Sequence, residues 1–374
     1  MASTPLESLE PRRSAQIRLV RSNVVLTIKM STLMNPKERL EAALRLKPID
    51  RLPVSCPLAT ATKEIVGLAG CGFPAAFHDP KAMACLAMAA SRFAGWESVR
   101  VPFDVNIDAE AFGAAMGKDS TECPPGIQGR LVQSYEDLDE LAVPDPTLAG
   151  RSPVLLKAVE MLANQAGDMP VICAMQGPLT LAAQLRGEEE LLLDLLTAPE
   201  DAVRLLQKAT QWGKRFANAA IDAGADAIIV LDGTSSGDIL GPALYRRFSF
   251  PFEYEVFKDV KARVPTMLHI CGDIGNSLDL ILDSGADGLS LGQGMDLGWV
   301  KERAMGRMAI VGNVSPTTTL LRGTPEEVRA ETIKCILQGA DVPAPGCGFA
   351  FGTPLANMKA MTHAIRSFHR DIGF

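Results

Sequence analysis

The sequence predicts an α/β protein of the (β/α)8, or TIM-barrel, class. Past residue 50, short β-rich apolar runs alternate with longer helical patterns, which is typical of consecutive βα units around a parallel sheet. Eight such runs can be counted, which favours a closed barrel, although the pattern alone is also compatible with an open doubly wound sheet. The predicted strands span residues 52–56, 98–103, 170–175, 227–231, 266–270, 288–291, 308–311 and 348–351.

Helical patterns fill most of the intervals between these runs. Proline stands at or near several of their starts, where a missing N–H costs nothing. The stretch 110–153 is rich in Gly, Pro and Asp and predicts a long loop or small excursion that could cap the barrel mouth. The helical patterns span residues 80–93, 199–223, 242–262, 278–283, 325–338 and 354–368.

The chain of 374 residues is predicted to form one domain over residues 35–374, preceded by a flexible extension over residues 1–34. The extension has several arginines around a short apolar patch that is too short for a signal sequence. No apolar run reaches the length of a membrane span, so we expect a protein without membrane segments. The net charge of -7 argues against a broad electrostatic grip on nucleic acid or on anionic membranes.

The eight cysteines are scattered without a dense spacing framework, which predicts reduced thiols and a cytoplasmic location. Most of them are expected to act as small buried hydrophobic residues. This group comprises Cys56, Cys71, Cys85, Cys123, Cys173 and Cys335.

Two side chains that can bind a metal lie at the end of one predicted strand. The period of two residues along a strand sends His269 and Cys271 to the same face, just before a glycine turn. A histidine and a cysteine in this spacing are more often core residues than ligands. A third donor, Cys347, stands between two glycines near the last predicted strand, where backbone can approach a site closely. Three N and S ligands with an open fourth position are what a catalytic zinc uses.

The ligand types indicate a particular chemistry. Zinc held by one neutral imidazole and two thiolates carries little net charge, so a thiol bound to it loses its proton yet stays nucleophilic. Sites that activate water more often use histidines and carboxylates. The predicted set therefore suits alkyl transfer to sulfur.

Over residues 35–371 the sequence resembles the uroporphyrinogen decarboxylase superfamily and, within it, the methylcobamide:coenzyme M methyltransferases. The resemblance rests on several long motifs that occur in the expected order. These are 35–39 (NPKER), 50–53 (DRLP), 101–104 (VPFD), 177–180 (GPLT), 269–272 (HICG), 312–316 (GNVSP), 346–348 (GCG) and 353–357 (TPLAN).

Two departures from the decarboxylase pattern favour the methyltransferase branch. Decarboxylases carry a Met-Arg-Gln-Ala-Gly-Arg segment that binds substrate carboxylates, whereas residues 57–62 contain no arginine. Decarboxylases also show Gly-His-Gly where this chain has 346–348 (GCG). The resemblance thus implies that His269, Cys271 and Cys347 bind zinc.

By the same resemblance, the enzyme moves a methyl group from a methylated corrinoid, carried on a separate corrinoid protein, to a zinc-bound thiol such as coenzyme M. Homocysteine or a tetrahydrofolate as acceptor remains open. Two other functions also remain open: a decarboxylase, and a non-catalytic partner of a corrinoid protein with a structural zinc. A structural zinc normally has four protein ligands, however, and the sequence offers three good ones.

Four other polar residues end predicted strands. Asp104 matches a carboxylate that decarboxylases use, and Asp232 could bind substrate or give zinc an oxygen ligand, so both are candidate catalytic residues. Gln176 and Asn313 are candidates for hydrogen bonds to the acceptor or the corrinoid. The alternative for all four is local capping or turn formation.

Overall fold

The computed structural model describes residues 33–368, which form a (β/α)8 barrel. Six strands make one parallel sheet, in which each strand pairs with the next one along the chain. Two further short strands form an antiparallel hairpin. The parallel strands are β1 (Val99–Val101), β4 (Val171–Gln176), β5 (Ala227–Leu231), β6 (Thr266–Ile270), β7 (Gly288–Leu291) and β8 (Ala309–Val311), and the hairpin strands are β2 (Ala115–Met116) and β3 (Ile127–Gln128).

Two extended segments flank this sheet and complete the barrel. On one side, the Glu97 N–H donates to the carbonyl of Val54, which places the predicted first strand beside β1. On the other side, residues 341–346 run parallel to β8 and the residues after it. The segments that follow these two flanking strands then meet and close the barrel, since the Phe349 N–H donates to the Ala59 carbonyl at 2.9 Å.

The last predicted strand, 348–351, is therefore wrong, because the segment that pairs with β8 is 341–346. Pro343 and Pro345 lack the N–H that a regular ladder needs. The N–H groups of Asp341, Val342, Ala344 and Gly346 donate to the neighbouring segment, and the two prolines interrupt the series. A strand interrupted in this way does not show as a continuous β-rich run in the sequence.

The helices lie near the predicted positions. The pattern at 242–262 is two helices rather than one, because Pro251 at the second position of the later helix cannot continue the earlier one. The α-helices are Pro36–Leu44 (α1), Lys63–Ala69 (α2), Ala75–His78 (α3), Pro80–Ala94 (α4), Ile107–Ala111 (α5), Asp137–Glu140 (α6), Ser152–Gln165 (α7), Pro178–Arg186 (α8), Glu188–Thr197 (α9), Pro199–Asp222 (α10), Pro242–Phe248 (α11), Phe250–Val260 (α12), Leu278–Leu282 (α13), Leu297–Ala304 (α14), Pro325–Leu337 (α15) and Leu355–Ser367 (α16), and the 3₁₀ helices are Gly233–Ser235 and Gly275–Ser277.

Helix α1 closes the amino-terminal end of the barrel. The Leu44 side chain lies 2.7 Å from the point that a Cβ on Gly288 would occupy, so β7 needs glycine there. On the same helix, the Arg39 guanidinium pairs with Asp50 at 2.7 Å, and both side chains are only 4% exposed. Residues 1–32 of the predicted flexible extension lie outside the described residues.

The predicted excursion at 110–153 carries the hairpin and helix α6. Ile127 and Gly129 from this excursion line a cavity of about 570 Å³ together with Thr180 and Gly233, which follow the carboxyl ends of β4 and β5. The excursion thus lies over part of the barrel mouth. Among residues 33–368, none of the helices has the length and apolar character needed to cross a bilayer.

The expectation that all cysteines are reduced is wrong for one pair. Cys71 and Cys85 form a disulfide, which joins the chain just after α2 to α4. Their pairing joins positions 14 residues apart across a turn, and no spacing motif marks it. Cys123 is exposed rather than buried, whereas Cys56, Cys173 and Cys335 are free and buried as predicted.

The disulfide predicts how many thiols can be titrated before and after reduction. Protein unfolded without reductant should titrate with six thiols, and with all eight cysteines after reduction. In Cys71→Ser the count should no longer depend on reductant, because Cys85 has lost its partner. Identical counts for the wild-type protein before and after reduction would contradict the pairing.

The buried Arg39–Asp50 pair predicts a pH-dependent stability. Arg39→Met should lower the free energy of unfolding by about 3–5 kcal/mol, because it leaves a buried carboxylate unpaired. The hydrogen bond from Arg39 lowers the pKa of Asp50 to about 2. The stability that this carboxylate contributes is therefore complete above about pH 4 and is lost as the pH falls through about 2.

Urea unfolding from pH 7 to pH 2 measures both effects. The half-exposed pair of Arg45 and Glu41 on the same helix is the matched control, and Arg45→Met should cost less than about 1 kcal/mol. Equal losses in the two variants would contradict the role given to the buried pair.

Candidate metal centre

His269 and Cys271 come from β6 and the residue beyond its end. The register places His269 opposite Leu231 of β5 and Ser290 of β7, so the histidine is buried within the sheet. Gly272 follows with φ of +77°, a conformation that favours glycine. A Cβ at this position would lie 2.2 Å from the Asp238 carboxylate. The turn that ends β6 therefore requires the glycine that follows the two donors.

Cys347 reaches the same place from the other end of the chain. A Cβ on Gly346 would lie 2.7 Å from the backbone nitrogen of Gln293, and one on Gly348 would lie 3.1 Å from the Ala59 side chain. The glycines on both sides of Cys347 thus let this segment pack between the loop after β7 and the loop before α2. This close packing accounts for the Gly-Cys-Gly sequence.

The three side chains converge. The His269 Nε2 lies 3.0 Å from the Cys271 Sγ, and the Cys271 Sγ lies 3.8 Å from the Cys347 Sγ. Among the described residues, these three form the one group of three or more metal-capable side chains, with all donor atoms within 4.8 Å of one another. Two sulfurs bound at about 2.3 Å to one tetrahedral zinc lie about 3.8 Å apart. The donor set and its spacing therefore fit zinc.

Contacts behind His269 fix its orientation. Its Nδ1 lies 3.0 Å from the Ser290 hydroxyl and 3.2 Å from the Ser290 carbonyl. When the Nδ1–H donates a hydrogen bond to these oxygens, the lone pair of Nε2 is free to bind a metal. This is the usual arrangement behind metal-bound histidines.

The two thiols influence each other strongly. The hydrogen bond from the Cys271 thiol and the nearby His269 imidazole hold the pKa of Cys347 well below its usual value. The hydrogen bond to Cys347 and burial hold the pKa of Cys271 above its usual value. One sulfur therefore ionises at the expense of the other, and a cation between them would let both ionise.

Exposure increases across the group. His269 is buried, Cys271 is half-buried and Cys347 is exposed. A second cavity of about 450 Å³ lies beside the turn after β6, where it is lined by Gly272 and Gly294 among others. Cys347 is therefore the donor most open to a molecule that enters at the barrel mouth.

Comparisons with known proteins identify the family of this chain. The family description "Uroporphyrinogen decarboxylase (URO-D)" matches residues 35–368. The chain belongs to the uroporphyrinogen decarboxylase family. It is 33% identical to methylcobamide:CoM methyltransferase MtbA of Methanosarcina acetivorans over 90% of this chain and 99% of that protein. It is also 33% identical to methylcobamide:CoM methyltransferase MtaA of Methanosarcina barkeri, over 89% of this chain and 98% of the other.

A solved structure supports the same branch of the family. The structure of a methyltransferase from Methanosarcina mazei matches with a TM-score of 0.85 and 33% identity, and the match covers 89% of this chain and 98% of the other. The chain is thus a methyltransferase in the coenzyme M branch of the uroporphyrinogen decarboxylase family.

The two carboxylates predicted as catalytic are both buried and already hydrogen-bonded. Asp104 accepts from Arg151 at 2.6 Å and from the Asn106 N–H at 2.9 Å. Asp232 accepts from the Thr180 N–H and hydroxyl, at 2.8 and 2.7 Å, in the first turn of α8. Asp232 therefore caps this helix, and it does not belong to the group of metal-capable side chains. Catalytic roles for Asp104 and Asp232 stay predictions.

The two predicted amides differ in their surroundings. Asn313 donates to the carbonyls of Gly292 and Met295, at 3.0 and 2.8 Å, and so holds the loop after β7. Gln176 lies in register with Leu231 and hence with His269, on the inner face of the barrel. Its backbone N–H donates to the Asp108 carboxylate at 2.8 Å, and its side-chain amide has no hydrogen-bond partner among the described residues. The Gln176 amide is thus the better placed of the two for a ligand.

Sequence analysis did not identify Ser290, which orients His269. The signal that could have found it is a serine inside the otherwise apolar β7 run, at the position of the strand that faces the histidine. Recognising it requires the register between β6 and β7, which the sequence does not show.

The donor geometry predicts about one zinc per chain. Cys271→Ala and Cys347→Ala should each lose most of the metal, because two remaining donors bind zinc far more weakly than three. Metal analysis of dialysed protein measures this. Cys335→Ala removes a buried cysteine outside the group and should keep the wild-type zinc content. Unchanged zinc in both ligand variants would refute the assignment.

Proposed function

We propose that this protein transfers a methyl group from a methylated corrinoid, carried on a separate corrinoid protein, to a thiol such as coenzyme M. In this reaction a carbon–sulfur bond forms as the carbon–cobalt bond breaks, and cobalt keeps the electron pair. The observation that carries the proposal is the convergence of His269, Cys271 and Cys347 at the barrel mouth. The similarity to methylcobamide:CoM methyltransferases supports the same reaction.

Zinc, when bound, would lower the pKa of the acceptor thiol so that it reacts as a thiolate. His269, Cys271 and Cys347 would hold the metal. Two thiolates and one neutral imidazole cancel its charge, so the acceptor sulfur stays nucleophilic.

The chain's own residues position the reactants. Ser290 fixes the imidazole of His269, and the glycines beside Cys347 fix that segment against its neighbours. The Gln176 amide, on the inner face of the barrel, is proposed to hydrogen-bond the acceptor or the corrinoid, while Asn313 acts on the same region through the loop after β7. Such positioning converts a bimolecular displacement into a nearly intramolecular one.

The barrel mouth suits a large partner. Cavities of about 570 and 450 Å³ lie at the carboxyl ends of the strands, the first lined by residues that follow β4 and β5 and the second by residues that follow β6 and β7. We propose that the corrinoid protein docks over this end and presents its methyl group towards the most exposed donor, Cys347.

We also propose that the protein acts in the cytoplasm. The six free cysteines support this location, because reduced thiols are typical of that compartment.

The proposal predicts methyl transfer from free methylcobalamin to a thiol. Coenzyme M, homocysteine and tetrahydrofolate are tested separately by the loss of methylcobalamin absorption. Coenzyme M should be the best acceptor, and uroporphyrinogen should not be decarboxylated. Decarboxylation without methyl transfer would overturn the proposal.

The role of the metal is tested in the same protein with cobalt(II) in place of zinc. Coenzyme M should add sulfur-to-cobalt charge-transfer absorption and release about one proton at neutral pH, because a metal-bound thiol is deprotonated. Its alcohol analogue, 2-hydroxyethanesulfonate, has the same tail without the thiol and should do neither. If turnover with coenzyme M changes neither signal, the metal does not activate the thiol.

A further inference from the structure

Arg100, in the middle of β1, is a buried cation without a carboxylate partner. Its side chain is 3% exposed, and among the described residues no Asp or Glu forms an ion pair with it. Its Nη1 donates to the carbonyl of Pro102, and its Nε has no hydrogen-bond partner. A buried charge of this kind is costly and calls for an explanation.

The other buried arginines show the contrast. Arg39 pairs with Asp50, and Arg151 pairs with Asp104 and Glu110. The buried arginines among residues 33–368 are Arg39, Arg100 and Arg151, and only Arg100 lacks a carboxylate partner. Carboxylates thus neutralise the other two buried arginines, whereas the charge of Arg100 has no partner in the fold.

The strand register places Arg100 on the face that carries the metal ligands. Arg100 pairs with Ile172 of β4, and every second residue of that strand, up to Gln176, shares one face. Gln176 pairs with Leu231, which pairs with His269. Arg100 therefore points into the barrel, below the level of His269.

Arg100 keeps its charge although it is buried. Burial lowers the pKa of Arg100 to about 10, and the sulfurs of Cys173, Cys56 and Cys347 oppose this shift. Arg100 therefore remains a cation at neutral pH. Burial raises the pKa of both Cys56 and Cys173 to about 12, so these two are neutral thiols. Neither of these two thiols therefore neutralises Arg100.

We propose that Arg100 supplies the counter-charge for the acceptor thiolate at the metal centre. This role rests on the proposed function. Zinc with two cysteine thiolates and a neutral imidazole has no net charge, and an acceptor thiolate makes the centre negative by one unit. One unpaired cation in the barrel interior balances that single charge. Arg100 would act through this field, without contact to the acceptor, as a positioning residue for the thiolate form.

The test measures ligand affinity in cobalt(II)-loaded protein, by titration of the cobalt spectrum. The probes are coenzyme M, 2-mercaptoethanol, whose tail is uncharged, and imidazole, a neutral ligand. Arg100→Met should bind both thiols about tenfold more weakly, which corresponds to about 1.4 kcal/mol, because the thiolate loses its counter-charge. Imidazole affinity should not change, and Arg100→Lys should restore most of the thiol affinity.

Arg39→Met is the matched control. It also removes a buried cation, but at the amino-terminal end of the barrel, so it should destabilise the fold without changing thiol affinity. Arg100→Met should bind as much cobalt as the wild type and should be no less stable, since it leaves no carboxylate unpaired.

Three results would overturn the proposal. Equal thiol affinity in Arg100→Met and the wild type would show that the charge has no effect on the thiolate. A loss for coenzyme M alone would place Arg100 at the sulfonate tail instead. A wild-type protein that binds cobalt but neither thiol would overturn the proposed function itself, and this role with it.

Discussion

Two sulfur atoms 3.8 Å apart at the barrel mouth, with an imidazole nitrogen 3.0 Å from one of them, set the main constraint on this structure. Without a cation, the ionised form of Cys347 depends on Cys271 staying protonated. A divalent metal removes that conflict because it favours both thiolates at once. The surrounding backbone then has to bring segments 76 residues apart together, and the glycines on both sides of Cys347 and after Cys271 allow this approach.

The parallel register extends this constraint across the sheet. Adjacent strands align Gln176, Leu231, His269 and Ser290 in one layer, so the orientation of His269 depends on the pairing of four strands. The opposite, amino-terminal end of the barrel contributes stability. There α1 and the Arg39–Asp50 pair close the core, with both charges neutralised. Stability and chemistry are thus separated along the barrel axis, as is usual for this fold.

The sequence predicts the barrel class, the six parallel strands and the three metal-capable residues. These features can be predicted because apolar runs and donor residue types are local features of the sequence. The sequence was not sufficient where the outcome depends on partners far along the chain. The strand at 341–346 was missed because prolines interrupt it, and the Cys71–Cys85 disulfide because no motif marks it. Ser290 was missed because its role appears only when β7 lies beside β6.

The buried charges also bear on why this barrel is a methyltransferase rather than a decarboxylase. A substrate with many carboxylates needs several free cations around it, and decarboxylases of this family provide an arginine-rich segment that residues 57–62 lack. Among the described residues, two of the three buried arginines are already paired with carboxylates. Arg100 alone is left without a carboxylate, on the inner face of the barrel, and in its proposed role it would balance the one negative charge that an acceptor thiolate adds. One free cation matches one thiolate, and it cannot balance a polyanionic tetrapyrrole.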